Sequence, residues 1–192
     1  MSFAPWRSPL ARALHRNRSK AYSRYPQLAT VDAGGRPANR TVVFRDFLPD
    51  TDNLLFITDV RSAKVPQIAH QPYGELCWYF TKTREQFRLG GHLSLITAQD
   101  DDPAAEQTRR DLWETLSANG RQQFAWPEPG QPRTVPGYEP FDLDTSPPLP
   151  TFAVLILAPE RVDHLELRGD PQNRHQYWQD SDHNWRSQAI NP

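Results

Sequence analysis

The sequence predicts a mostly β fold with peripheral helices, an antiparallel barrel with helices packed outside it. Three observations predict it. Short apolar and β-branched runs recur along the chain, Gly, Pro, Asn and Asp cluster between them, and helical periodicity is confined to a few segments. No internal repeat or composition break divides the 192 residues, so a single domain over 1–192 is expected.

Trp6, Leu10, Ala13 and Leu14 fall near helical spacing, which predicts an amphipathic helix over about 5–22. "QLATVDAGGRPANRTVVFRDF" then holds two β runs around Gly34-Gly35, a hairpin signal, with the second run bounded by Arg40 and Arg45. "LPDTDN" is a turn cluster and "LLFITDV" the next strand. "SAKVPQIAHQP" predicts a short helix with Ser62 as N-cap and Pro66 in its first turn, where proline is tolerated. "ELCWYFTK" and "EQFRLGGHLSLIT" are two more strands, and Gly90-Gly91 predicts a bulge or close backbone approach in the second. "DDDPAAEQTRRDLWETLSANG" is the clearest helix, opened by an Asp cap and Pro103 and closed by Gly120. A proline-rich segment with little periodicity, about 127–150, follows Trp126; a connection of this length suits a lid or substrate-side wall. "TFAVLIL", "RVDHLEL" and "NWRSQAI" predict the last strands.

Several function classes are disfavoured. The formal net charge of −1 lacks the basic excess of a general nucleic-acid binder. The single Cys77 can form no internal disulfide, which fits a reducing cytoplasm and gives no zinc cluster. Arginines interrupt every apolar run near the N-terminus, unlike a secretory signal, and no run has the length of a membrane span, so a cytoplasmic protein is expected. The six histidines show no metal-ligand spacing. There is no Gly-x-Ser-x-Gly elbow, no lysine-bearing phosphate loop and no Gly-x-Gly-x-x-Gly after a strand.

The basic cluster is the main chemical signal. Arg40, Arg45 and "RSAK" (61–64) supply guanidinium forks, a hydroxyl and a helix entry, parts that together bind phosphate. The alternative is a set of solvated strand-end charges paired with Asp46, Asp59 or Glu75.

In order and spacing, "RTVVFR", "FITDVRSAK", "REQFRLGG" and the closing "RVDHLEL…NRHQYW…WRSQAINP" resemble the pyridoxamine 5'-phosphate oxidase family, and more closely its cyanobacterial-type FMN-binding branch. The likeness runs from about Leu28 to the end. It implies a split β-barrel that binds FMN at a homodimer interface. The family's strand motif matches Arg40, Thr41, Val42, Val43, Phe44 and Arg45, with Arg40 directed to the flavin phosphate. Ile57 and Thr58 match the pair before the phosphate loop, and Ser62 and Lys64 match the loop itself; Arg61 stands in for the arginine that Ala63 lacks. Gln86 and Arg174 match residues that contact the flavin ring. Arg121 and Trp126 are the substrate-side candidates.

The sequence departs from the family in three places. Arg45 replaces the lysine at the strand end, Leu165 stands where a ring-stacking Trp is expected, and "GDPQN" replaces a substrate-binding Arg-Leu-His triplet. The resemblance therefore implies flavin-dependent oxidation or reduction of a small molecule, with pyridoxamine or pyridoxine 5'-phosphate as the family's default substrate. A non-catalytic holder of FMN or a vitamin phosphate, and a flavin-free structural dimer, are the alternatives.

Overall fold

The computed structural model describes residues 3–133 and 147–192. Helix α1 (Arg7–Asn17) buries Trp6, Leu10 and Ala13 in the main core, as their spacing predicts. It is shorter than the expected 5–22. The buried Asn17 amide donates to Ala13 O at 2.8 Å and its oxygen accepts from Lys82 N–H at 2.9 Å, which pins the helix end, and a 3₁₀ turn follows over Ala21–Arg24.

Strands β1 (Gln27–Val31) and β2 (Pro37–Thr41) form the expected hairpin. Asp32 Oδ1 accepts from the N–H groups of Gly34 and Arg36, and Gly35 takes a φ of 76° that suits glycine. The run from Arg40 to Arg45 is not one strand. It breaks at Val42-Val43, and β3 (Phe44–Phe47) pairs instead with β4 (Leu54–Asp59). With β5 (Tyr73–Phe80), β6 (Glu85–Ile96) and β7 (Phe152–Glu166), the sheet order is β2-β1-β5-β6-β7-β4-β3. The two ends of that order, β2 and β3, are joined covalently by Val42-Val43, so the sheet curls into a barrel with its split there.

Two apolar clusters hold the barrel. Inside lie Leu28, Phe44, Phe56, Trp78, Phe80, Phe87 and Leu157, closed at one end by α1. Outside, α3 (Pro103–Glu114) lays Leu112 and Trp113 on Leu55, Phe152, Val154 and Ile156, joined by Leu116 from the turn before α4 (Ala118–Gln122) and by Phe124 after it. The first half of β7 is thus covered on both faces, which explains its unbroken apolar run.

Four further expectations are corrected. Ser62 does not cap α2 (Lys64–His70); Ala63 occupies the N-cap without a side-chain bond, and Ser62 Oγ accepts from Lys64 Nζ at 2.6 Å. Asp102 caps α3 as expected, but the predicted long helix breaks at Thr115–Ser117, and Gly120 lies inside α4, where its N–H donates to the Ser117 cap at 3.2 Å. "TFAVLIL" and "RVDHLEL" are one strand, β7, because Pro159 sits at the bulge opposite Gly91 and interrupts no ladder. β8 (Asn173–Gln179) had no predicted counterpart: it buries only Tyr177 and has no apolar alternation. It pairs with β7 and with β9 (Trp185–Ile190). Positions 134–146 of the proline-rich loop lie outside the described residues.

The Gly90-Gly91 bulge gives a direct test. A Cβ on Gly91 would lie 2.0 Å from the backbone oxygen of Ala158, whereas one on Gly90 would have its nearest neighbour at 3.7 Å. Gly91→Ala should cost several kcal/mol in urea unfolding, and Gly90→Ala less than about 1 kcal/mol; equal effects would contradict the bulge geometry.

Candidate functional site

A cleft of about 410 Å³ opens at the split. Thr41, Val42, Val43 and Arg45 line it from the β2–β3 link, and Ile57, Thr58, Asp59, Ser62 and Lys64 from β4 and the turn into α2. Gln123, Phe124, Trp126 and Pro129 supply another wall. Val42 is buried in the core while Val43 is half-exposed to the cleft, the alternation of extended backbone.

Lys64 Nζ donates to Thr58 Oγ1 at 2.9 Å and Ser62 Oγ at 2.6 Å. Burial, then the Arg40 charge, lowers its pKa, and Asp59 offsets part of this. Arg40 does not line the cleft. Its guanidinium donates to Leu28 O (3.2 Å), Thr30 Oγ1 (2.6 Å) and Gln67 Oε1 (2.8 Å), and burial lowers its pKa. Arg45 lines the cleft with its Nε buried and without a hydrogen-bond partner; burial, then Arg24, lowers its pKa. Among the described residues none of these three cations forms an ion pair. Pairing with Asp46, Asp59 or Glu75 therefore does not explain them: Asp59 is held by Arg61, and Glu75 by Arg88 and Arg161. Local concentration of unpaired positive charge around hydroxyl donors suits a phosphate.

The other predicted residues lie elsewhere. Arg61 does not line the cleft; it pairs with Asp59 at 2.6 Å. Arg121 donates to Trp113 O and Glu114 O at the end of α3 and is not itself a lining residue, although its neighbour Gly120 is. Trp126 does line the cleft and is 42% exposed. Gln86, Leu165 and Arg174 form a row across β6, β7 and β8. This row pairs at the far end of β7, whereas Thr58 pairs with Ala153 near its start. Arg174 is oriented by Asp163 through bonds of 3.0 Å from Nε and 2.8 Å from Nη2. Gln123, Phe124 and Pro129 also line the cleft; the helix break at Ser117 turns their segment back onto the barrel.

A second cleft of about 420 Å³ lies beside the buried Glu85–His164 pair, whose Oε2–Nε2 distance is 3.0 Å. Glu85, His164 and Glu166 bring their ligand atoms within 4.8 Å of one another, a convergence across β6 and β7 invisible in the histidine spacing. Arg16, Lys82 and Arg168 line the same cleft and oppose a further cation there. The chemistry follows the unpaired cations at the split.

The molecule is thus an antiparallel split barrel with a cation-lined cleft where the sheet closes. Residues 3–97 match the family model for the pyridoxamine 5'-phosphate oxidase, FMN-binding domain. The pyridoxine/pyridoxamine 5'-phosphate oxidase 2 of Arabidopsis thaliana is 40% identical over 167 residues, which span 86% of this chain and 84% of that protein. A crystal structure of a pyridoxamine 5'-phosphate oxidase-related, FMN binding protein from Nostoc punctiforme is 53% identical over the whole of both chains, with a TM-score of 0.93. PhzG from Burkholderia lata, at 17% identity and a TM-score of 0.75 over 100% of this chain and 98% of its own, shares the fold. This chain belongs to the pyridoxamine 5'-phosphate oxidase family, whose FMN-binding split barrel it adopts, and FMN is the cofactor that goes with that domain.

The Asp163–Arg174 pair sets a pH dependence. Burial would raise the Asp163 carboxyl, but hydrogen bonds from Arg174 and Gln176 outweigh it and hold the pKa below its ordinary value. A folded pKa below the unfolded one gives stability that is present above the ordinary Asp range and lost as pH falls through the folded value. Asp163→Asn should make the acid limb of stability below about pH 4 shallower, read from urea midpoints; an unchanged limb would contradict the pairing.

Proposed function

We propose that this chain is an FMN-dependent oxidoreductase of the pyridoxamine 5'-phosphate oxidase type, a single-domain protein that works as a homodimer on a small molecule. The observation that carries this reading is Lys64. It is half-buried, bonded only to two hydroxyls, backed by Arg40 and without a carboxylate partner. Desolvating a cation this way is costly unless an anion completes the site.

The residues fit FMN as follows. Lys64 and Ser62 would hold the phosphate, Arg40 would add positive charge near Lys64, and Thr58 fixes the ammonium. Thr41, Val42, Val43 and Ile57 offer extended backbone and apolar side chains to a flat ring, and Arg45 a buried donor to its polar edge. Gln86 and Arg174 belong to the other end of β7, so in a homodimer they reach the ring from the second subunit. Bound FMN would supply a two-electron redox centre for oxidising the substrate, with oxygen as the final acceptor and hydrogen peroxide as its product. The chain's own part is to bind, orient and exclude water, with Trp126 and Phe124 covering the substrate side.

Pyridoxamine or pyridoxine 5'-phosphate is the first substrate to test, because the Arabidopsis thaliana relative is a pyridoxine/pyridoxamine 5'-phosphate oxidase. The second reading, an FMN holder without turnover, is favoured by Leu165 and by the turn that carries "GDPQN" in place of the substrate triplet. The two are separated by peroxide release on adding the substrate to the flavin-loaded protein.

The cofactor site is tested by titrating FMN into variants. A charged hydrogen bond to phosphate contributes about 1.5–3 kcal/mol, so Lys64→Ala should weaken FMN by roughly 10- to 150-fold. Arg40→Ala, at a residue outside the lining, should have a smaller effect. Wild-type affinity in both variants would return these cations to a purely structural role.

A further inference from the structure

Arg61 was expected to replace a missing phosphate ligand, yet its bonds run in another direction. Its Nε donates to Asp59 Oδ1 at 2.9 Å and Nη2 to Asp59 Oδ2 at 2.6 Å, while its backbone N–H also reaches Oδ1 at 2.8 Å. The other side of the fork donates to two backbone oxygens: Nη1 to Trp126 O at 2.9 Å and Nη2 to Phe124 O at 3.3 Å. Four of the five guanidinium N–H groups are thus committed within the protein. Lys64, by contrast, donates only to hydroxyls and lines the cleft.

The two oxygens that Arg61 holds belong to the wall of the cleft. Phe124 and Trp126 line it together with Ser62 and Lys64. They stand on a short segment, α4 followed by a 3₁₀ turn over Gln123–Ala125, too short to keep its place without tertiary contacts. Phe124 is anchored in the outer cluster, and its carbonyl also accepts from Thr151 Oγ1 at 2.7 Å. Trp126 O is fastened by Arg61 to β4, the strand that carries Ile57 and Thr58.

We propose that Arg61 is a positioning residue, a latch that holds the 123–126 wall against the β4–α2 turn and so sets how firmly the cleft closes on the flavin. It acts on the whole ligand through the wall, and not on the phosphate. This deepens the FMN reading and rests on it.

The test compares FMN with riboflavin, which has the same ring and no phosphate, on the full chain, together with amide hydrogen exchange over 118–128. Arg61→Ala should weaken both flavins by the same factor, about tenfold for the loss of charge-assisted bonds, and speed exchange in 118–128. Arg61→Lys should do the same, since one ammonium cannot span Asp59 and two carbonyls. Lys64→Ala should weaken FMN and leave riboflavin unchanged. The latch is overturned if Arg61→Ala weakens FMN alone and Arg61→Lys restores it, the pattern of a phosphate ligand, or if exchange in 118–128 does not change. If the unaltered protein binds neither flavin, the cofactor reading fails while exchange still decides whether Arg61 holds the wall. Should Arg61→Ala fail to fold, Thr151→Val removes the second donor to Phe124 O and should give the same pattern at smaller size.

Discussion

The structure depends on one covalent constraint: two residues, Val42-Val43, join the strands at opposite ends of the sheet order. A sheet whose first and last strands are consecutive in sequence cannot stay flat; it has to curl until its edges meet. The meeting is incomplete, because β2 pairs only with β1 and β3 only with β4. The split leaves a cleft floored by extended backbone, with Val42 turned into the core and Val43 towards the opening. The residues that line the cleft are arranged around this seam.

Charge then distinguishes the seam from the rest of the surface. Arg174 is satisfied by Asp163, Arg61 by Asp59 and backbone oxygens, and the buried Arg109 by the carbonyl oxygens of Pro148, Leu149 and Phe152 together with Glu106. Each of these arginines fastens one part of the chain to another. Lys64 reaches only the nearby Thr58 and Ser62 hydroxyls, Arg45 buries an Nε without a hydrogen-bond partner, and burial works against the charge of both. Arg7 and Arg88 also bury an Nε without a hydrogen-bond partner, but each lies in an ion pair, with Asp52 and Glu75. Lys64 and Arg45 form none among the described residues and face a cleft, an arrangement suited to an anionic ligand.

Much of this was legible in the sequence, and the misses have physical causes. Hairpin chemistry at Gly34-Gly35, the Asp102 cap and the Gly90-Gly91 bulge are local signals, and each appears where expected. The break at Val42-Val43 was hidden because both residues favour extended backbone; only sheet topology decides that partners change there. β8 was hidden because its pairing, and not its composition, makes it a strand. The basic cluster was readable as a group, but the division of labour within it was not. Arg61, Ser62 and Lys64 are adjacent in sequence, and only the positions of Asp59, Thr58 and the Phe124 and Trp126 carbonyls separate a latch from a ligand set. Gln86 and Arg174 matched the family by position, yet they stand at the far end of β7, which a single chain cannot bring to the seam along the strand.

The most direct test of the central claim, that the seam holds a flavin mononucleotide, is the visible absorption spectrum of the purified protein after mixing with FMN and gel filtration. The expected result is flavin that elutes with the protein, with absorption bands displaced from those of free FMN. A colourless protein peak, with the FMN recovered unshifted in the later fractions, would contradict it.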